Sequence, residues 1–144
     1  EVDGILISAK TLNWDRPSLT TRNYHGTNPR PIILVNNTLP NSSALENLAV
    51  APLFIGKVSE LEGDKIICDP YEIVQWLPEL LNYGIHHVLV EGGGRVLQSF
   101  VDSGIVDQWH RFTSNASINE GITAPNLLVP QTTYKLGTDR YERG

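Results

Sequence analysis

The stretch "VLVEGGGRVLQSF", residues 88–100, constrains the fold more than any other part of this chain. Val88, Leu89 and Val90 form a short apolar run of the kind that ends a buried strand. Val96, Leu97, Phe100 and Val101 then recur at the spacing of one helix face. Only Glu91 and three consecutive glycines separate the two patterns, so a strand must pass through a glycine turn directly into a helix over about residues 95–103. Such a turn brings backbone close to a ligand and aims unpaired N–H groups at it, which suits an anion. A tight strand-to-helix connection with no ligand is the plainer reading, and the spacing is not the dinucleotide fingerprint G-x-G-x-x-G.

Other short apolar runs bounded by turn residues repeat along the chain: residues 2–8, 31–35, 51–56, 65–68 and 86–91. Between the last two lies "DPYEIVQWLPELLNYG", where Asp69 can cap a helix, Pro70 suits its first turn and Gly84 its exit, with Pro78 breaking or kinking it. Gly104 marks the exit of the helix at 95–103. After it, "SGIVDQWHRFTSN" returns to an extended pattern, and "TTYKLGTDRYERG" reads as one further strand. Strands alternating with helices predict an α/β fold with a mixed, mostly parallel sheet flanked by helices, and residues 86–91 as a central strand.

The 144 residues, 40% hydrophobic and 19% charged, suit one domain with a real core. A net charge of −5 and a pI near 5.3 argue against nucleic acid as a partner, since phosphate-backbone binding needs surplus Lys and Arg. A single cysteine, Cys68, allows no intrachain disulfide and no cysteine-based metal cluster, and a cytoplasmic location is expected. No apolar run is long enough to cross a bilayer. The absence of methionine predicts a fragment of a longer protein.

A second polar cluster lies in "KTLNWDRPSLTTR", residues 10–22, read as a loop following the first strand. Thr11, Asp15, Ser18, Thr20, Thr21 and Arg22 there supply hydroxyls, a carboxylate and a planar cation suited to a hydroxylated, phosphorylated ligand. A solvated Asp-x-Pro turn is the alternative. Glu91, at the carboxyl end of its strand, stands where open α/β sheets place ligand-contacting groups; alternatively its carboxylate accepts hydrogen bonds from the glycine turn. The four histidines form no pair at metal-ligand spacing, and no metal is expected.

The stretch "VDGILISAKTLNWDRPSLTTR" with "NPRPIILV" behind it, followed by "VLVEGGGRVLQSFVDSGIVDQW", resembles the reductase domain of the bifunctional riboflavin-biosynthesis deaminase/reductase family. The resemblance covers residues 1–37 and 86–109. It implies a dihydrofolate-reductase-like fold in a single reductase domain, 1–144, with no deaminase domain and without the family's first and last strands. It implies an NADPH-dependent oxidoreductase that reduces the ribose of 5-amino-6-(5-phosphoribosylamino)uracil to a ribityl chain, acting by positioning and without a catalytic nucleophile. Carried over by position, Thr11, Asp15, Gly93, Gly94, Arg95, Val96, Leu97, Gln98 and Ser99 contact the cofactor, through the N–H groups of the glycine turn and helix start. Leu19, Arg22 and Glu91 contact the phosphoribosyl-pyrimidine substrate, Arg22 through its 5′-phosphate. A homodimer is the expected assembly. Another NADPH reductase of the same fold, or a non-catalytic nucleotide-binding or oligomerisation module, stays open beside it.

Overall fold

The computed structural model describes residues 2–23 and 25–144. Its strands and helices follow β1(Gly4–Ser8), α1(Ala9–Asp15), β2(Arg30–Val35), α2(Ser42–Leu45), β3(Leu53–Gly56), β4(Lys65–Ile67), α3(Ile73–Trp76) running into a 3₁₀ helix (Leu77–Tyr83), β5(Val88–Val90), α4(Gly94–Asp102), β6(His110–Thr113), β7(Thr132–Leu136) and β8(Asp139–Arg143). The first five strands form one wholly parallel sheet in the order β4-β3-β2-β1-β5, and the last three a separate antiparallel sheet in the order β6-β8-β7. The expected mixed, mostly parallel sheet flanked by helices is therefore present, with its antiparallel part in a sheet of its own.

Alternation along each strand of the parallel sheet sorts its side chains onto two covered faces. Leu6, Ile32, Leu34, Leu53 and Ile55 face α3, the 3₁₀ helix and α4, packing with Ile73, Trp76, Leu80, Val96 and Phe100. Ile5, Ile7, Ile33, Val35 and Phe54 face the other way, against Ala9 and Leu12 of α1, Leu19 and Ala44 of α2. Both layers are fully apolar, which is why the strand sequences read as unbroken hydrophobic runs. Trp76 is the largest buried side chain; its Nε1 donates to the Pro70 carbonyl at 3.1 Å and its ring meets Phe100 edge-on at 6.2 Å.

Three readings of local structure need correction. Residues 88–90 are an edge strand, not a central one: among the described residues β5 pairs only with β1, and Leu89 is 38% exposed. A three-residue Val-Leu-Val run carries no mark of whether a second neighbour exists; that depends on β6–β8, which pair among themselves. Residues 69–72 form a turn ahead of the helix rather than its first turn. The Asp69 carboxylate accepts from the Tyr71 N–H at 3.0 Å and its carbonyl from the Glu72 N–H at 3.1 Å, so α3 starts at Ile73. Pro78 then does what its missing N–H requires, ending α3 and leaving a 3₁₀ segment that Gly84 closes. Finally, residues 132–144 are a hairpin, not one strand. Gly137, at φ +63°, supplies a left-handed position in the two-residue turn between Leu136 and Asp139.

One face of that hairpin and β6 carries a cross-strand ladder, Phe112 against Tyr141 at 4.8 Å and Tyr141 against Tyr134 at 5.8 Å. On the opposite face Arg111 and Arg140 flank the buried Glu142 at 2.9 and 3.3 Å, and the Arg111 hydrogen bond holds that carboxyl below the usual carboxylate range. Among the described residues no helix is long and apolar enough to cross a membrane.

At the amino edge of the parallel sheet Asp3 ties β1 to the approach of β5. Its carboxylate accepts from the His86 and His87 N–H groups, both at 2.9 Å, and these bonds lower its pKa. A carboxylate titrating below its unfolded value stabilises fully above the ordinary aspartate range and loses that contribution as pH falls through the folded value. Asp3→Ala is therefore expected to lower the melting temperature at pH 7, with the deficit against wild type shrinking as pH drops below about 4. Thermal melts across pH 7 to 3 check this; a constant deficit contradicts the charge-assisted pairing.

Candidate functional site

The parallel sheet has one place where the chain reverses its direction of travel across the strands. From β1 it steps outward to β2, β3 and β4, then returns to add β5 on the other side of β1. At such a switch point the two connections leave on opposite faces and open a crevice beyond the carboxyl ends of the strands. Here α1 leaves β1 toward one face and α4 leaves β5 toward the other. The pairing Leu6↔Val90, continued by the Glu91 N–H donating to the Leu6 carbonyl at 2.8 Å, holds the two exits side by side.

On the β1 side there is no spacer at all. Ser8, the last strand residue, is the N-cap of α1: its Oγ accepts from the Thr11 N–H at 3.1 Å and lies 2.9 Å from the Thr11 hydroxyl. Residues 10–15, read from sequence as the start of a loop, are thus all helix. The signal was Ser8 before Ala9 and Leu12, two buried positions one turn apart, in a helix of seven residues too short for a full stripe. Arg16 ends α1 in the left-handed region at φ +45°, its N–H donating to Leu12.

On the β5 side, α4 begins at Gly94 with Gly93 as N-cap at φ −58°. Gly93 is not in a left-handed conformation. Its role is spatial. A Cβ on Gly93 would have one neighbour within 4 Å, the Thr11 Oγ1 at 3.9 Å, so open space at this turn faces the Thr11 hydroxyl. The two polar clusters of the sequence meet at that point. Gly92 and Gly94 serve packing instead: a Cβ on Gly92 would stand 2.6 Å from the Val96 Cβ, and one on Gly94 3.0 Å from both Ile122 Cγ2 and the Thr123 carbonyl.

The Val96 and Leu97 N–H groups are already used, both donating to the Gly93 carbonyl at 2.9 and 3.2 Å. The N–H groups of Gly93, Gly94 and Arg95 have no acceptor among the described residues. Three donors without an acceptor at the positive end of a nine-residue helix are an arrangement that suits an anion. Arg95 adds a guanidinium, stacked on the Tyr71 ring at 5.0 Å.

The remaining candidates are distributed around this point. Val96 is buried in the α4-side core, Gln98 donates to Asp102 at 2.7 Å and accepts from the Asn126 N–H at 3.0 Å, and the Ser99 hydroxyl donates to the Val96 carbonyl at 2.7 Å. Asp15 is exposed one turn beyond Thr11, at the far end of α1. Leu19, at φ +51°, buries its side chain in the α1-side core. Arg22 is exposed in a loop pinned by Thr21, whose N–H donates to Asn28 Oδ1 at 3.0 Å and hydroxyl to the Thr27 carbonyl at 3.1 Å. Glu91 is exposed; its carboxylate takes no hydrogen bond from the glycine turn, and no ion pair joins it to Arg22 among the described residues. Sequence reasoning missed the packing of residues 122–126 over the start of α4; that segment has no periodicity to betray it.

Comparison with known proteins gives a consistent result. Residues 1–115 match the family described as the RibD C-terminal domain. The chain is 34% identical over 123 residues to the 2,5-diamino-6-ribosylamino-4(3H)-pyrimidinone 5′-phosphate reductase of Aquifex aeolicus, covering 75% of this chain and 54% of that protein. It is 31% identical over 144 residues to the riboflavin biosynthesis protein RibD of Bacillus amyloliquefaciens, covering 86% of this chain and 37% of that one. The chain thus spans about half or less of the length of these curated relatives. Among solved structures, a diaminohydroxyphosphoribosylaminopyrimidine deaminase/5-amino-6-(5-phosphoribosylamino)uracil reductase from Thermotoga maritima superposes with a TM-score of 0.79 at 23% identity, over 99% of this chain and 44% of that one. The Saccharomyces riboflavin biosynthesis reductase Rib7 superposes at 0.59 and 20% identity, over 99% and 72%. At these identities the superpositions speak for the fold.

The glycine turn itself offers a check. Gly92→Ala is expected to cost about 1–3 kcal/mol, because the new methyl overlaps Val96 in a packed core. Gly93→Ala, at an ordinary φ and with space beside it, should stay within about 0.5 kcal/mol of wild type. Chemical denaturation of both variants decides; equal destabilisation contradicts the division of labour between the two glycines.

Proposed function

The chain belongs to the RibD C-terminal domain family, and from that premise we propose that it acts as an NADPH-dependent reductase of riboflavin biosynthesis. Its substrate is a ribosylaminopyrimidine 5′-phosphate, with 5-amino-6-(5-phosphoribosylamino)uracil as the first choice. The names of the Aquifex and Thermotoga relatives differ in the pyrimidine ring and agree on the phosphorylated ribosylamino side, which is where the reduction falls. One observation carries the reading: three unpaired N–H donors of the α4 start open beside the Thr11 hydroxyl, at the switch point of a parallel sheet.

The donor set fits the cofactor. Gly93, Gly94 and Arg95 would hold its pyrophosphate through their N–H groups, and the space left by the absent Gly93 side chain admits it next to Thr11. Asp15 lies on the same helix one turn further, within the span of a dinucleotide. NADPH, when bound, supplies the hydride that reduces C1′ of the opened ribose. What the chain contributes is placement: Glu91 at the strand end orients the substrate, and Arg22 takes its 5′-phosphate through a planar fork. Leu19 contributes through the backbone of its left-handed loop position, since its side chain is committed to the core. The open outer edge of β5 supports pairing with a second copy, and the free Cys68 suits a reducing, cytoplasmic setting.

Single-turnover oxidation of NADPH followed by its absorbance, with the uracil and the diaminopyrimidinone phosphoribosyl compounds in turn, tests the proposal. Turnover with neither, by a chain that binds NADPH, overturns the substrate assignment. Arg22→Ala is expected to raise KM about tenfold to a hundredfold, with Lys restoring only part. Glu91→Gln should lower kcat/KM while leaving NADPH affinity nearly unchanged; equal losses for both ligands would place Glu91 in the scaffold. Gly93→Val should weaken NADPH binding by about tenfold or more, roughly 1.4 kcal/mol, in a folded protein.

A further inference from the structure

Four arginines have side-chain partners that define their surroundings, and one of them stands apart. Arg30 is neutralised by Asp64 at 2.6 Å, and Arg111 and Arg140 share Glu142. Arg95 is held differently. Its guanidinium lies over the Tyr71 ring, 5.0 Å from the centroid, much as Arg30 lies over Tyr83 and Arg111 over Trp109, but no carboxylate pairs with it among the described residues. A guanidinium held over a ring by cation–π attraction keeps its charge and leaves N–H donors for an acceptor. The group is thus restrained without being neutralised, and it stands on the residue that follows Gly93 and Gly94, whose N–H groups are unpaired.

The two elements that make this contact come from different places. Tyr71 belongs to the turn between β4, the far edge strand of the parallel sheet, and α3; Arg95 belongs to the first turn of α4, which leaves β5 at the opposite edge. Trp76 against Phe100 fixes α3 against α4 one layer deeper, so the stack is anchored by the core. The Asp69 carboxylate fixes Tyr71 in turn by accepting its N–H.

Resting on the cofactor reading above, we propose that Arg95, positioned by Tyr71, reads a phosphomonoester, the 2′-phosphate of the dinucleotide, and so selects NADPH over NADH. The chemistry favours this over a second pyrophosphate contact. The unpaired N–H groups already suit the pyrophosphate common to both dinucleotides, whereas a free, planar, permanently charged fork matches a dianionic phosphomonoester. The substrate's 5′-phosphate is the other phosphomonoester in the system, and the assay separates the two.

The experiment is equilibrium binding to the full chain, with NADPH, NADH, 2′,5′-ADP, 5′-ADP and ribose 5-phosphate as probes. Wild type is expected to bind NADPH and 2′,5′-ADP more tightly than NADH and 5′-ADP. Arg95→Ala should weaken the 2′-phosphorylated pair about tenfold to a hundredfold and the other pair less than about twofold, with Arg95→Lys in between. Tyr71→Leu should weaken the 2′-phosphorylated pair about two- to fivefold, and Tyr71→Phe, which keeps the ring face, should match wild type. Equal losses for NADPH and NADH, or a loss confined to ribose 5-phosphate, overturn the proposal while leaving the cofactor reading in place. Failure of the wild-type chain to bind either dinucleotide overturns both. Arg95 is exposed and Tyr71 half-buried, and an unchanged melting temperature verifies that the variants are folded.

Discussion

The parallel pairing of β1 with β5 is the interaction on which the rest of the molecule depends. β1 is the strand from which the sheet grows in both directions, β2 on one side and β5 on the other. Leu6, with no exposed surface, sits at the centre of the α4-side core, and its carbonyl takes the Glu91 N–H just where β5 gives way to the glycine turn. A register slip of one residue would invert the faces of β5 and carry Gly92–Gly94 away from Ser8 and Thr11. The packing of two layers and the apposition of two polar clusters are thus consequences of a single strand pairing.

From that pairing the local chemistry follows. Ser8 can cap α1 because it is the last residue of β1, and capping turns Thr11 toward the partner strand's exit. Gly92 lies tight over Val96 so that α4 can start at once, and Gly93 leaves space where any other residue would fill it. The same few residues that terminate the strands also expose three N–H donors, so the fold's most economical connection is also where the proposed cofactor site opens. Stability and recognition draw on the same backbone here.

Much of this was legible in the chain, and the reasons it was not complete are physical. The five parallel strands were visible because strands covered on both faces must be apolar at every position, as in "PIILV". The start of α4 was visible because Gly93 and Gly94 precede Val96, Leu97 and Phe100 at helical spacing. The edge position of β5 was not, since pairing partners lie outside any local window. Nor was α1: seven residues carry only Ala9 and Leu12 toward the core, and Pro17 with the threonines behind it suggested a loop. The shift of the next helix start from Pro70 to Ile73 reflects competition between two uses of Asp69, a helix cap or a turn around Tyr71, and the turn won. The cluster of candidate residues held together only in part: Thr11, Gly93, Gly94 and Arg95 converge, whereas Val96 and Leu19 spend their side chains on the core and Arg22 is exposed in its loop.

The central claim is that the exits of β1 and β5 together form the cofactor site, and amide-resolved NMR tests it most directly. On titration of the full chain with NADPH, the account predicts the largest chemical-shift changes at the N–H groups of Gly93, Gly94 and Arg95, with Thr11 moving alongside them and the β6-β8-β7 sheet unaffected. Saturable binding that perturbs the antiparallel sheet and leaves residues 93–95 unchanged would contradict it.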